Sequence, residues 1–395
     1  MTFKAHTKKI ALTGMVSAMA LTATAAMADT GSPSREELLA MLQTQQRQLN
    51  ELQAMLKQTQ AQAENAETKA EEAKASPAFL DTIKIGGTLE FEATSSETFA
   101  NVDSSDLSLA KAELSFSAKP HEYVETNIVA LYEDGSDNIT LDEATVRIAN
   151  TDEFPLYTQV GKWAVPFGNF DTAMSTDPIT KTLGETKENA LLVGATANGF
   201  SFEGFAYNGD TQKSGKGNNI DQFGLNVGYA GDIDGLEVAV GAGYINNIAD
   251  SDGVTDKISS GTAMKDYVGG MSLNGSVGMS GVLFSAGYIK ANDEFDSTEL
   301  AFNSKGAQPE AWNTELSYTT NILEKETTFA ATYQGSDEAL ALELPEQRLG
   351  AAVSVVVYDN TSLTLEYLHD EDYEISKGGT GNSAQTATAK LAVEF

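Results

Sequence analysis

The sequence predicts an all-β transmembrane barrel of about sixteen antiparallel strands, preceded by an α-helical coiled-coil segment. Three observations predict it. A stretch with the layout of an export signal opens the chain, a 3.5-residue apolar repeat follows, and from Ile83 to Phe395 the period changes to two. A period of two sends alternate side chains to opposite faces, as in a strand, whereas 3.5 holds one seam of a helix against a partner.

The first element is the signal. Lys4, Lys8 and Lys9 form a positive start, Ile10 to Ala25 is apolar, and Ala26-Met27-Ala28 is a small-x-small cleavage site, so residues 1–28 read as a secretory signal peptide. No later segment is apolar for the ~20 residues that a spanning helix needs. The chain has 395 residues, 41% of them apolar, no cysteine and a net charge of −32. That is long enough for one large β domain with an appendage, and too apolar for a disordered acidic chain. The lack of cysteine excludes a disulfide scaffold, a thiolate metal site and a lipid-anchored amino terminus. The acidity argues against nucleic acid, whose phosphates need a basic surface.

The second element spans 29–76. Ser34 to Lys74 lacks Gly and Pro and is rich in Ala, Gln, Glu and Leu, with Pro33 before it and Pro77 after it. Leu38, Leu42, Gln45, Leu49, Leu52, Leu56, Thr59, Ala63, Ala66, Ala70 and Ala73 fall on one seam. That spacing predicts a left-handed coiled coil, a periplasmic stalk that would make the protein a homo-oligomer, with a trimer favoured. One amphipathic helix lying on another surface is the alternative. A linker, 77–82, leads to the barrel.

The third element is the barrel, 83–395. Dyad segments are expected at 83–93, 107–119, 122–133, 138–149, 155–163, 189–198, 199–208, 219–230, 235–247, 267–279, 281–292, 310–321, 325–336, 345–358, 361–371 and 383–395. Short turns follow most even segments, at Lys119-Pro120-His121, Asn198-Gly199, Gly231-Asp232-Ile233-Asp234, Ser280-Gly281 and Asp359-Asn360, and longer acidic loops follow most odd ones. Short periplasmic turns and long outside loops are the pattern of a bacterial outer-membrane barrel, with outer-membrane lipid as its solvent. The final strand ends on Leu391, Val393 and Phe395, resembling the carboxyl-terminal signal that such barrels offer to the barrel-assembly machinery. A pair of soluble β-sandwiches is the rival, but no Pro- or Ser-rich linker divides 83–395.

If the apolar faces meet lipid, the opposite faces line the lumen. They carry Glu90, Glu92, Lys111, Glu113, Glu125, Glu143, Arg147, Glu203, Glu237, Glu315 and Glu366, an acidic set that predicts cation preference. The longest stretch without strand pattern, 164–188, contains Pro166, Phe167, Gly168, Asp171, Asp177, Pro178, Gly184, Glu185 and Glu188. A loop of this length in a compact domain is usually functional. By analogy with general porins it is a candidate constriction loop, with Asp171, Asp177, Glu185 and Glu188 as its acids; an ordered external cap is the alternative.

Val160-Gly161-Lys162, Pro166-Phe167-Gly168, Asp177-Pro178-Ile179-Thr180 and Leu183-Gly184-Glu185-Thr186 resemble the LbtU-type siderophore porins of Gram-negative bacteria, as does the order of signal, coiled coil and barrel. The resemblance implies passive outer-membrane uptake of ferric siderophore. Other readings are a general cation-preferring porin and a structural or adhesive protein tethered by its stalk. An enzyme is not expected: the histidines are His6, His121 and His369, too few and too scattered for a Ser/His or Asp/His centre. No cofactor is expected. Asp250, Asp252, Asp256 and Asp266 share one loop without the pattern of a twelve-residue calcium loop, so they read as solvated charge and no metal is expected.

Overall fold

The computed structural model describes Lys57 and residues 83–395 other than 137, 151, 152, 218 and 259–262. The expected signal, stalk and linker lie outside the described residues. Sixteen strands close into one antiparallel barrel. They are β1 Ile83–Glu97, β2 Asp103–His121, β3 Val124–Glu133, β4 Thr140–Ala149, β5 Leu156–Ala164, β6 Lys187–Ala197, β7 Phe200–Tyr207 and β8 Gln222–Ile233, then β9 Leu236–Ile245, β10 Gly270–Met279, β11 Val282–Ala291, β12 Glu310–Ile322, β13 Lys325–Asp337, β14 Gln347–Tyr358, β15 Thr361–Glu371 and β16 Ser383–Glu394. Each pairs with its sequence neighbours, and β16 closes on β1 from Thr88↔Glu394 to Glu97↔Gln385. Beyond β16, Phe395 exchanges backbone hydrogen bonds with Gly87 at 2.9 and 3.0 Å.

The solvent preference of the wall is inverted relative to a soluble protein. In β15, Leu363, Leu365 and Tyr367 are 40%, 51% and 47% exposed, while Thr364, Glu366 and Leu368 between them are buried. The same holds in β8, where Phe223, Leu225 and Val227 are exposed. A continuous exposed apolar band on this scale calls for an apolar solvent. Outer-face aromatics fall in two rows. Phe223, Tyr244, Tyr288, Trp312, Tyr333 and Tyr367 form one, toward the long loops; Phe200, Tyr229, Phe284, Tyr318, Phe329 and Phe395 form the other. Neighbours within a row touch, as in Trp312–Tyr333 with centroids 5.0 Å apart and Phe200–Tyr229 at 4.8 Å.

All sixteen expected segments became strands, and the bounds of 361–371 were met at both ends. Others moved. The expected turn at Lys119-Pro120-His121 is strand, with the chain reversing at Glu122 and Tyr123. Pro120 is accommodated because the register slips between Ala118 and His121, so no ladder bond is asked of it. The expected turn at 231–234 likewise gives way to a tighter one at Asp234-Gly235, both residues at positive φ, the geometry of a two-residue hairpin that matches strand twist. The 164–188 stretch is not free of regular structure: it holds a short helix, α1 Thr180–Gly184. A second short helix, α2 Asp252–Thr255, lies in the loop between β9 and β10.

The main apolar core lies at the long-loop end. Phe167, Leu183, Ile248, Val254, Ile289 and Leu300 belong to it, from three loops and the upper wall. In the 248–266 segment Asp252, Asp256 and Asp266 are exposed as the sequence suggested, but Asp250 is not. Ile248, Val254 and Met264 are fully buried, and Asp250 is 2% exposed.

Candidate functional site: the loop that crosses the barrel

The segment from Val165 to Thr186 leaves β5 and returns to β6, but its contacts are on the far wall. The backbone N–H of Ala173 donates to Glu315 Oε1 on β12 at 2.9 Å, and the Thr172 hydroxyl donates to the same carboxylate. Glu366 on β15 accepts three bonds: Ser175 N–H at 2.6 Å, Thr176 N–H at 3.1 Å and Thr176 Oγ1 at 2.5 Å. Ser175 Oγ also donates to Glu92 on β1 at 3.3 Å. On the return, Ile179 N–H donates to Gln334 Oε1 on β13 at 2.8 Å, and Thr180 meets Asn313 on β12 at 2.9 Å. Between the two glutamates, Met174 packs on Ala330, Ala352 and Leu368, from three adjacent strands. Strands β12–β15 face β5 across a sixteen-strand ring, so the segment runs inside the barrel.

The near end is fixed by apolar packing. Phe167 is 1% exposed, and Gly243 on β9 leaves room for it: a Cβ there would sit 3.2 Å from its ring. Gly168 adopts φ +92° beside Phe170, a left-handed conformation that favours glycine. Gly184 has no room for a side chain, since a Cβ would lie 2.2 Å from Ile289 Cδ1. From above, Ser251 Oγ donates to Leu183 O at 2.6 Å and Asp252 N–H to Glu185 O at 2.8 Å.

The segment is a partition rather than a filling. On its long-loop side is a space of about 390 Å³ bounded by Thr176, Lys181, Asp252, Glu343 and Arg348. On its short-turn side is one of about 400 Å³ bounded by Asp171, Thr172, Asn274, Glu315 and Ser317. A third, also about 420 Å³, lies against the bare wall of β1–β5, along Lys84, Ser117, Glu125, Asn127 and Arg147. A concavity of about 680 Å³ lies elsewhere, on the outer apolar face beside Phe202, Val227, Val240 and Leu273, where it is not part of any passage.

The expected site residues scatter over three environments. Asp177 and Glu185 both pair with Lys181 of α1, at 2.7 and 3.4 Å. Asp171 is exposed on the short-turn side of the segment. Pro166 lies at its start and Pro178 just before α1. Glu188 stands apart, 6% exposed on β6 and accepting Asp210 N–H at 3.1 Å.

The inner-face charges also divide. Glu315 and Glu366 are covered by the segment, at 7% and 4% exposure. On the opposite wall Glu113 pairs with Lys111 at 2.8 Å and Glu125 with Lys119 at 2.9 Å. Glu90 faces Lys390 at 3.5 Å. Glu143 accepts from the Asn127 amide at 3.0 Å. The Arg147 guanidinium lies 4.2 Å over the Tyr157 ring, whose hydroxyl donates to Glu203 at 2.5 Å. The acidic surplus counted from sequence is thus partly used for anchoring and partly neutralised. Lys119 and Lys390 were missed as partners, though Lys390 sits in phase with the inner face between Ala389 and Leu391. Met174, Gln334 and Asn313 were missed too, and no local pattern marks them.

Titration of the loops reflects the same packing. Burial pushes the Asp250 carboxyl up to about 6, against the opposing bonds from Thr211. Asp296 is held well below the usual range by Lys265 and by Thr298.

No family model matches the sequence. The chain is 29% identical to a UPF0422 protein of Coxiella burnetii over 77% of its length and 68% of the relative's. It is 29% identical to one of Legionella pneumophila (strain Lens) over 79% of its length and 66% of the relative's, so the match takes in about two thirds of these relatives. Among solved structures, the barrel resembles an anion-selective porin from Comamonas acidovorans (TM-score 0.56, 12% identity, 80% of this chain and 99% of that one). It also resembles the outer-membrane channel DcaP of Acinetobacter baumannii (0.54, 12%, 79% and 97%) and OmpF of Salmonella typhi (0.54, 10%, 79% and 97%). The fold is that of the porins. The narrower resemblance to siderophore porins has no counterpart among these relatives.

Proposed function

We propose that the protein is an outer-membrane porin: a passive, water-filled channel for small hydrophilic solutes, narrowed by residues 165–186. One observation carries the reading. The segment crosses the barrel to bind Glu315 and Glu366 and leaves space on both of its faces and along β1–β5. A sixteen-strand barrel is wide enough for an aqueous channel, and a partition that leaves one wall bare makes an eccentric passage. That passage runs past Lys111, Glu113, Glu143 and Arg147, a mixed lining that favours weak cation preference. The long loops face outward, the short turns face the periplasm, and Leu391, Val393 and Phe395 serve as the assembly signal. The stalk at 29–76 makes the porin an oligomer. Ferric siderophore is the candidate specific solute, supported by the resemblance within 160–186.

The test is planar-bilayer conductance of the refolded protein in a salt gradient. Stable ohmic steps with a small cation-selective reversal potential are expected. Block by added ferric siderophore at micromolar concentration would support the specific solute. No conductance from a heat-modifiable, folded barrel would overturn the channel.

A further inference from the structure

We propose that a buried polar pocket at the long-loop end, between β6, β8 and the loops 208–221 and 246–258, is a site for a hard divalent cation of the calcium class, held by Asp250, Gln222, Asn247 and Glu188. The proposal is independent of the channel reading.

All four side chains are nine-tenths or more buried: Gln222 and Asn247 are 0% exposed, Asp250 2% and Glu188 6%. The amide nitrogens of the pocket are engaged as donors, while the Tyr207 hydroxyl keeps a hydrogen to give. Gln222 Nε2 donates to Thr211 O at 2.7 Å; Asn247 Nδ2 donates to Thr211 Oγ1 at 2.7 Å and to Asp250 Oδ2 at 3.1 Å. Thr211 in turn donates to Asp250 Oδ1 from its N–H and its hydroxyl, both at 2.7 Å. Apart from that hydrogen, what is left over is acceptor oxygen. Gln222 Oε1 and Asn247 Oδ1 are buried without a hydrogen-bond partner, and so is the Tyr207 hydroxyl. Orphaned buried polar atoms are rare, and three in one pocket call for an explanation.

Geometry and charge give the explanation a sign. A Cβ placed on Gly209 would lie 1.8 Å from Gln222 Oε1 and 2.1 Å from Asp250 Oδ2, so these two oxygens face one another across that point with no hydrogen to share. Two acceptors at most 3.9 Å apart repel, and an ion that takes oxygen ligands at roughly 2.3–2.6 Å bridges such a pair from one side. The charges of Asp210 and Asp250 reach Glu188, while no lysine or arginine among the described residues pairs with Asp250 or Glu188. The pocket is therefore acidic, unneutralised and lined by hard oxygens. No three acidic or histidine side chains converge among the described residues, so amide oxygens complete the set. A site with so few charges belongs to the weak class, with a dissociation constant on the order of 0.1–1 mM. Ser251 and Asp252, just beyond Asp250, hold Leu183 and Glu185 of the crossing segment, so an ion here also fixes the roof above it.

Terbium is the probe, because nearby Tyr207 can sensitise its emission. The full-length refolded protein, stripped with chelator, is titrated with terbium and then with calcium. Saturable emission displaced by calcium is expected. Asp250→Asn should weaken binding at least tenfold, and Gly209→Ala, whose methyl occupies the point between the oxygens, should abolish it. Asp372→Asn, in an exposed loop, should change nothing. Heat-modifiable mobility on gels reports folding, and Gln222→Met serves as the second variant where Asp250→Asn does not fold. Calcium should raise the unfolding temperature of the wild type and not of Asp250→Asn. Absence of saturable emission at millimolar terbium, binding unchanged in all three pocket variants, or calcium raising the unfolding temperature of Asp250→Asn as much as that of the wild type would overturn the site.

Discussion

The two walls of the barrel carry the same sequence signal and reach opposite ends. Glu366 on β15 and Glu113 on β2 both occupy the polar phase of an alternating strand. Glu366 is 4% exposed and accepts three hydrogen bonds from the crossing segment; Glu113 has a quarter of its side chain exposed and pairs only with Lys111. The difference lies in what the inner face meets. On β12–β15 it meets protein, and each carboxylate satisfies backbone N–H groups that have no helix or strand partner. Around Ser117, Glu125, Asn127 and Arg147 on β2–β4 it meets open space, while Val129 and Leu131 on β3 and Tyr157 and Trp163 on β5 are buried. Inward direction is a local property of a strand, while cover is a tertiary one.

Glu366→Ala should have the largest effect. It leaves the N–H groups of Ser175 and Thr176 unpaired against the wall, at a cost of roughly 2–4 kcal/mol to docking of the segment. Single-channel conductance should rise and open-channel noise increase, with the folded barrel retaining its gel mobility. Met174→Ala removes the apolar contact with Ala330, Ala352 and Leu368 and should cost about 1–3 kcal/mol. Faster proteolysis within 165–186 would show it, with a smaller change in conductance than Glu366→Ala gives.

The fold was legible because strand alternation and turn spacing are local. The site was legible in part. The position and length of the 164–188 stretch marked it, but its docking depends on Glu315, Glu366, Gln334 and Asn313, each more than a hundred residues away and none distinguishable in sequence from other inner-face polar residues. Glu188 was read with the constriction acids because it follows them in sequence; strand pairing instead turns it toward Asp210. Asp250 was read as solvated because its neighbours are acidic, yet Ile248 and Val254 on either side carry it into the core.

On the bare wall, Glu113→Gln sharpens the contrast from the other side. Stability should change by less than about 0.5 kcal/mol, as for other exposed substitutions, while the reversal potential in a salt gradient shifts toward anions. A change in stability with no change in conductance is expected far from both walls. The β12–β13 turn places Leu323 and Glu324 at φ +50° and +63°, where glycine is at ease and other residues are not. Glu324→Gly should raise the urea midpoint of the barrel by an amount equivalent to about 0.5–1 kcal/mol.

The lumen is open along part of β2–β4 and covered along β12–β15. The chain has no cysteine, so single-cysteine variants test it cleanly. Ser115→Cys lies on the inner face of β2, and Ala352→Cys lies beneath Met174 on β14. During bilayer recording, a charged water-soluble thiol reagent should modify position 115 rapidly and change the current. Position 352 should stay unreactive until Glu366→Ala is added. Equal rates at the two positions, or a faster rate at 352, would contradict the account.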